Sequence, residues 1–152
     1  MVNVAKSYEF SGFEKPRQYE VLVLDDNEFD RKRIRRALTR LPMALNITEV
    51  KDIVGLSNGI FSKKFDIILV DFSLADGDGL QALEKIKLSH VNKNATVVMV
   101  TGNDSSSLAV NALKSGFDDY VTKDELNSDV LADLMSAPRI LKTNNVTQFP
   151  FS

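Results

Sequence analysis

The chain of 152 residues has no cysteine and no tryptophan, and only one histidine, four prolines and seven glycines. Without cysteine there is no disulfide and no thiol chemistry, a usage compatible with the expected cytoplasmic location. The single histidine, His90, has no paired serine or cysteine nucleophile, so it is assigned no catalytic role. No apolar run approaches the length of a membrane span, and the Met1-Val2-Asn3-Val4 start lacks the basic and hydrophobic regions of a signal peptide, so no membrane association is expected. Neither charge sign dominates: 19 basic and 21 acidic residues point to no polyelectrolyte partner, and no nucleic-acid recognition motif is present. What remains is ordinary for one globular domain with a proper core, at 43% hydrophobic and 26% charged residues.

Four short apolar runs each end on a polar residue. Ile67-Ile68-Leu69-Val70 stops at Asp71, and Val21-Leu22-Val23-Leu24 runs into Asp25-Asp26. Val97-Val98-Met99-Val100 runs into Thr101-Gly102, and Tyr120-Val121-Thr122 delivers Lys123. Runs of this kind read as strands buried on both faces. In a parallel sheet their carboxyl ends lie along one edge, where open α/β folds place ligand crevices. Asp25, Asp26, Asp71, Thr101 and Lys123 therefore share one candidate pocket.

That pocket is electrostatically reasonable only with a cation. Three crowded carboxylates repel one another, and with the Lys123 ammonium a formal surplus of about two negative charges remains. One divalent ion balances it. The candidate ligands are hard oxygens, which suit Mg²⁺ with retained waters better than Zn²⁺.

Between these strands the pattern turns helical. Phe29, Ile34, Ala37, Leu38 and Leu41 recur at helical spacing over 27–41, with Pro42 closing the segment. The opposite face is basic, with Arg31, Lys32, Arg33, Arg35, Arg36 and Arg40, and is either a solvated face or a docking surface for an acidic partner. Residues 46–51 alternate as a strand nearer the sheet edge, and Asp52 caps a helix to about Lys63. A small-residue, acidic turn over 75–79 precedes a helix over 79–91, with Leu80, Leu83, Ile86 and Leu88 partly inward. A helix with Leu108, Ala109, Ala112 and Leu113 ends at Ser115-Gly116. The last helix starts after Asp124 and uses Leu126, Val130, Leu131 and Leu134, with Pro138 closing it. Five strands alternating with five helices imply a three-layer α/β sandwich.

The ordered set Asp25-Asp26, Asp71, Thr101 and Lys123, each at a strand end, resembles the receiver domain of bacterial two-component response regulators. The resemblance covers 19–137, leaving an N-terminal extension over 1–18 and a C-terminal tail over 138–152, where no output domain is expected. It implies a flavodoxin-like fold with parallel strand order 2-1-3-4-5. It also implies that Asp71 accepts a phosphoryl group from a phosphohistidine, with Mg²⁺ held by Asp25, Asp26, Asp71 and the backbone carbonyl of Ser73. Lys123 and the Thr101 hydroxyl would contact phosphoryl oxygens, and Thr101 and Tyr120 would form a conformational switch. The implied partners are a histidine kinase or histidine phosphotransfer protein, docking near the first helix, and a downstream protein target.

Three departures bear on that reading. The family usually has Lys-Pro with a cis bond where this chain has Lys123-Asp124; a cis bond before a non-proline residue costs about 3 kcal/mol, so a trans bond is expected, with Asp124 capping the last helix. Ala75 replaces a common proline, and Phe117 a common small residue. The alternative is a receiver-like interaction module not switched by phosphate. A dehalogenase-type phosphatase is disfavoured, because it requires a second Asp two residues after the first, where Ser73 stands. A flavin site is disfavoured because Asp25-Asp26 would repel phosphate after the first strand.

Overall fold

The computed structural model describes residues 17–102 and 105–136. The aromatic residues Tyr8, Phe10 and Phe13, Pro138 and the tail over 138–152 lie outside them.

The apolar runs form a five-stranded parallel sheet: β1 (Tyr19–Leu24), β2 (Leu45–Val50), β3 (Ile67–Asp71), β4 (Thr96–Thr101) and β5 (Asp119–Thr122), in the order β2-β1-β3-β4-β5. This is the expected order. Around the strands lie α1 (Glu28–Thr39), α2 (Ile53–Ser62), α3 (Gly79–Leu88), α4 (Ser106–Ser115) and α5 (Ser128–Ser136).

Alternation along the strands divides the core in two. Leu22, Leu24, Ile68, Val70, Val97 and Met99 pack with Leu56, Ile60, Leu83, Ile86, Ala112 and Phe117 from the side of α2, α3 and α4. The intervening Val21, Val23, Ile67, Leu69, Val98 and Val100 pack with Ile34, Leu38, Leu131 and Leu134 of α1 and α5. Because successive strand residues face opposite ways, a strand buried on both faces must be apolar at every position. Each Val, Leu or Ile so buried contributes about 1.5–3 kcal/mol. β2, paired only with β1, is half-buried throughout, as an edge strand should be.

Local signals set most helix ends. The Asp52 carboxylate accepts from Gly55 N at 2.7 Å, and Asp78 and Gln81 form a reciprocal capping box at the start of α3. Gly116 takes the left-handed conformation, φ 119°, that closes α4. Between Asp71 and α3 the acidic turn folds as a small hairpin, Ser73–Leu74 against Gly77–Asp78. Gly77 is required there: a Cβ would lie 2.6 Å from Ile53 Cδ1 and 2.1 Å from Gln81 Oε1, with φ at +159°.

Several expectations are corrected. Phe29 is 66% exposed: at about 3.6 residues per turn it falls well off the stripe of Ile34, Ala37, Leu38 and Leu41, so it does not share their inward face. α3 ends at Leu88 rather than Val91, and Leu80 and Leu88 face outward. The last helix does not follow Asp124 directly. Lys123–Glu125 forms a 3₁₀ turn in which Thr122 and Glu125 cap each other, and α5 begins only at Ser128, capped by Asn127 through Val130 N at 2.9 Å. Asp124 is exposed and caps nothing among the described residues. No described peptide bond is cis, so Lys123-Asp124 is trans as expected.

One buried polar residue escaped the sequence reading. Asn92, fully buried, accepts from Phe65 N at 2.7 Å and donates to the carbonyls of Ile60 and Lys63 at 2.8 Å each. It satisfies the backbone where α2 ends and the chain turns into β3.

Candidate functional site

The carboxyl ends of β1, β3, β4 and β5 meet on one edge. Asp25, one residue past β1, is 1% exposed; Asp71, the last residue of β3, is 5% exposed. Asp26 is exposed at the rim. Carboxylate oxygens of Asp25, Asp26 and Asp71 lie within 4.8 Å of one another.

Backbone contacts orient these groups. The Asp25 carboxylate accepts from Asn27 N at 2.8 Å through Oδ1, and the Arg31 guanidinium donates to the Asp25 carbonyl at 2.7 Å. Phe72 N reaches the Val100 carbonyl at 2.9 Å, which continues the β3–β4 pairing just past Asp71. The Ser73 backbone amide lies on the side of the Asp71 carboxylate and favours its charged form.

Lys123 enters from the end of β5. Its Nζ lies 2.7 Å from Asp30 Oδ2, 3.1 Å from Asp25 Oδ2 and 3.5 Å from Asp71 Oδ2. The Asp30 contact was not foreseen. The available signal was its place in the first turn of α1, one helical turn after Asp26 and three residues before Arg33.

Burial pushes the Asp71 carboxyl up to about 7; the negative charge of Asp25 adds to this, while Lys123 and the Ser73 amide oppose it. For Lys123, burial favours the neutral amine. The hydrogen bond to Asp30 and the charges of Asp25 and Asp71 together outweigh it, so the ammonium is held above its ordinary pKa.

The other expected residues take their places on adjoining strands. Thr101 is buried at the end of β4, one residue beyond Val100, the register partner of Asp71. Tyr120, paired with Met99, is half-buried and packs against the core beneath α2, α3 and α4. Gly102 follows Thr101 at the rim, and a Cβ built there meets no atom within 4 Å.

The residues fit a hard divalent cation. Asp25 Oδ2 is buried and accepts no hydrogen bond among the described residues, and the Lys123 ammonium lies 3.1 Å from it. A buried carboxylate oxygen in that position is ready for a further cationic partner, and three clustered carboxylates supply the oxygen donors that Mg²⁺ prefers.

The basic face of α1 is largely neutralised within the molecule. Arg31 and Arg35 both pair with Glu49, Lys32 lies 3.2 Å from Glu28, and Arg33 reaches Asp30 and the Lys123 carbonyl. Among the described residues, Arg36 and Arg40 form no ion pair.

Comparison with known proteins agrees with this geometry. The chain is 33% identical to the chemotaxis protein CheY of Treponema pallidum over 106 residues, 69% of this chain and 72% of that one. It is 33% identical to the swarming motility regulation protein RssB of Serratia marcescens over 103 residues, 68% of this chain but only 45% of the relative. Among solved structures, a two-component response regulator from Clostridium difficile superposes with a TM-score of 0.70 at 27% identity, covering 80% of this chain and 95% of that one. The receiver domain of the sensor histidine kinase PA1611 from Pseudomonas aeruginosa, solved with a magnesium ion coordinated in its active site cleft, gives a TM-score of 0.70 at 23% identity, over 80% and 98%. The family model for the response regulator receiver domain matches residues 21–135, from the first core strand to the last helix, and the chain belongs to that family.

Proposed function

We propose that this receiver, extending over 19–137, accepts a phosphoryl group on Asp71 from a phosphohistidine and signals through partner binding or onward transfer. The observation that supports it most is the meeting of a buried carboxylate, Asp71, with an ammonium 3.5 Å away and two further carboxylates at one sheet edge. An Asp71 oxygen attacks phosphorus, the P–N bond breaks, and its electron pair leaves with the imidazole, which takes up a proton. The product is an aspartyl phosphate.

Such transfer asks for alignment and charge neutralisation rather than covalent assistance. Asp25, Asp26, Asp71 and the Ser73 carbonyl would hold Mg²⁺, which when bound neutralises phosphoryl charge. Lys123 supplies a second positive charge. The Thr101 hydroxyl contacts a phosphoryl oxygen, and its movement frees space that Tyr120 enters, altering the surface of α4, β5 and α5. The donor is a histidine kinase or histidine phosphotransfer protein, and Arg36 and Arg40 on α1 favour an acidic docking surface on it.

Incubation with acetyl phosphate and Mg²⁺ tests the reading. Gain of one phosphate by mass in the wild type and none in Asp71→Asn is expected. Gain in both, or in neither, rejects it, and gain in neither leaves the unswitched interaction module.

A further inference from the structure

Helix α1 holds Lys123 at two points. The Asp30 carboxylate accepts the shortest of the ammonium contacts, 2.7 Å. One turn along, Arg33 Nη2 donates to the Lys123 backbone carbonyl at 2.9 Å. Leu126 N reaches the same carbonyl at 3.3 Å, so the backbone of the 3₁₀ turn is fixed from both sides. The space beside these groups, lined by Asp30, Arg33, Ile34, Lys123 and Leu126, has room for a single water.

An ammonium has three N–H donors. Here three carboxylates surround it, Asp30, Asp25 and Asp71, at 2.7, 3.1 and 3.5 Å. The acceptor aspartate therefore has the weakest hold on the lysine. We propose that Asp30 is a positioning residue: it keeps the Lys123 ammonium on the α1 side of the pocket, in competition with Asp71. This rests on the phosphoacceptor reading above.

Phosphorylation would replace the Asp71 carboxylate with an acyl phosphate whose phosphoryl group carries about −1.5 to −2 of charge on three acceptor oxygens. To reach them Lys123 turns a donor away from Asp30, while Arg33 keeps its backbone in place. The four-carbon stem gives the head group room to move without the chain. Asp30 thus holds back both transfer to Asp71 and stabilisation of the product. The rival role, a purely structural tie between α1 and the 3₁₀ turn, predicts loss of stability with no gain in rate.

Phosphate uptake from acetyl phosphate in the presence of Mg²⁺, followed by intact mass, separates the two. In that reaction the bond from phosphorus to the acetyl oxygen breaks, acetate leaves with the electron pair, and the Asp71 oxygen–phosphorus bond forms. Asp30→Asn is expected to take up phosphate about two- to fivefold faster than the wild type, the scale of losing one partly exposed charged contact. Asp30→Glu returns the rate towards that of the wild type, and Glu28→Gln leaves it unchanged. In a Lys123→Ala background Asp30→Asn gives no acceleration. An unchanged or slower rate in Asp30→Asn, or equal acceleration without Lys123, overturns the proposal. If Asp30→Asn fails to fold, Asp30→Ser is read by the same criteria.

A second measurement needs neither metal nor phosphate: the NMR resonances of the Lys123 ε-methylene in the metal-free protein. They are expected to shift in Asp30→Asn and to move back in Asp30→Glu, and absence of any shift overturns the placement. If the wild type takes up no phosphate while the resonances shift, the phosphoacceptor reading falls and the hold of Asp30 on Lys123 stands.

Discussion

Asp25 Oδ2 and Lys123 Nζ lie 3.1 Å apart, and the carboxylate is 1% exposed. A carboxylate so buried draws on that ammonium for charge balance, and Asp71 leans on the same group.

Removing one partner of a buried pair leaves the other uncompensated. Lys123→Ala is therefore expected to lower the stability of the metal-free protein by about 2–3 kcal/mol at neutral pH, read from urea unfolding. Added Mg²⁺ is expected to raise the melting temperature of the variant more than that of the wild type. An unchanged urea midpoint in chelator would show that Asp25 is balanced by other means.

The raised pKa of Asp71 gives stability a pH dependence of definite sign. Between the ordinary carboxylate range and about 7, folded Asp71 stays protonated while the unfolded chain has released its proton. The folded state binds more protons there, so stability falls as pH rises from about 4 to about 7 and levels off above. Three pKa units correspond to a few kcal/mol at most, at about 1.4 kcal/mol each. In chelator, melting curves from pH 5 to 8 are expected to fall for the wild type and to flatten for Asp71→Asn. Matching slopes in the two proteins would contradict the assignment.

Asn92 is a structural residue far from the acidic edge. Asn92→Ala leaves one buried N–H and two carbonyls without their partner. The expected loss is about 2–4 kcal/mol by denaturant unfolding. Phosphate uptake at low temperature, where the variant remains folded, is expected to match the wild type.

Gly116 closes α4 with φ 119°, a conformation that side chains disfavour. Its Cβ would meet Leu83 only at 3.6 Å, so backbone strain and not crowding opposes a substitution. Gly116→Ala is expected to cost about 1–2 kcal/mol, and Gly116→Asn less, since asparagine tolerates the left-handed region. Equal losses in both would point to packing instead.

The strands, their order of appearance and the polar residue ending each of β1, β3 and β4 were legible from residue order alone. Burial on both faces forces continuous apolar runs, and a run can stop only where the chain leaves the sheet. Asp25, Asp71, Thr101 and Lys123 were found in this way. The strand order followed from resemblance to the family and not from periodicity, which carries no information about neighbours. Phe29 shows how strictly a helical pattern must be read: it is apolar, but at about 3.6 residues per turn it falls off the stripe of Ile34, Ala37, Leu38 and Leu41, and the folded chain leaves it exposed.

Asp30 and Asn92 were out of reach for a different reason. Asp30 meets Lys123 across 93 residues, and Asn92 meets Phe65 across 27. Local patterns record which face of an element is apolar, because that is a property of neighbouring residues. Which polar groups share a hydrogen bond depends on how separate elements are docked, and only the folded chain decides that.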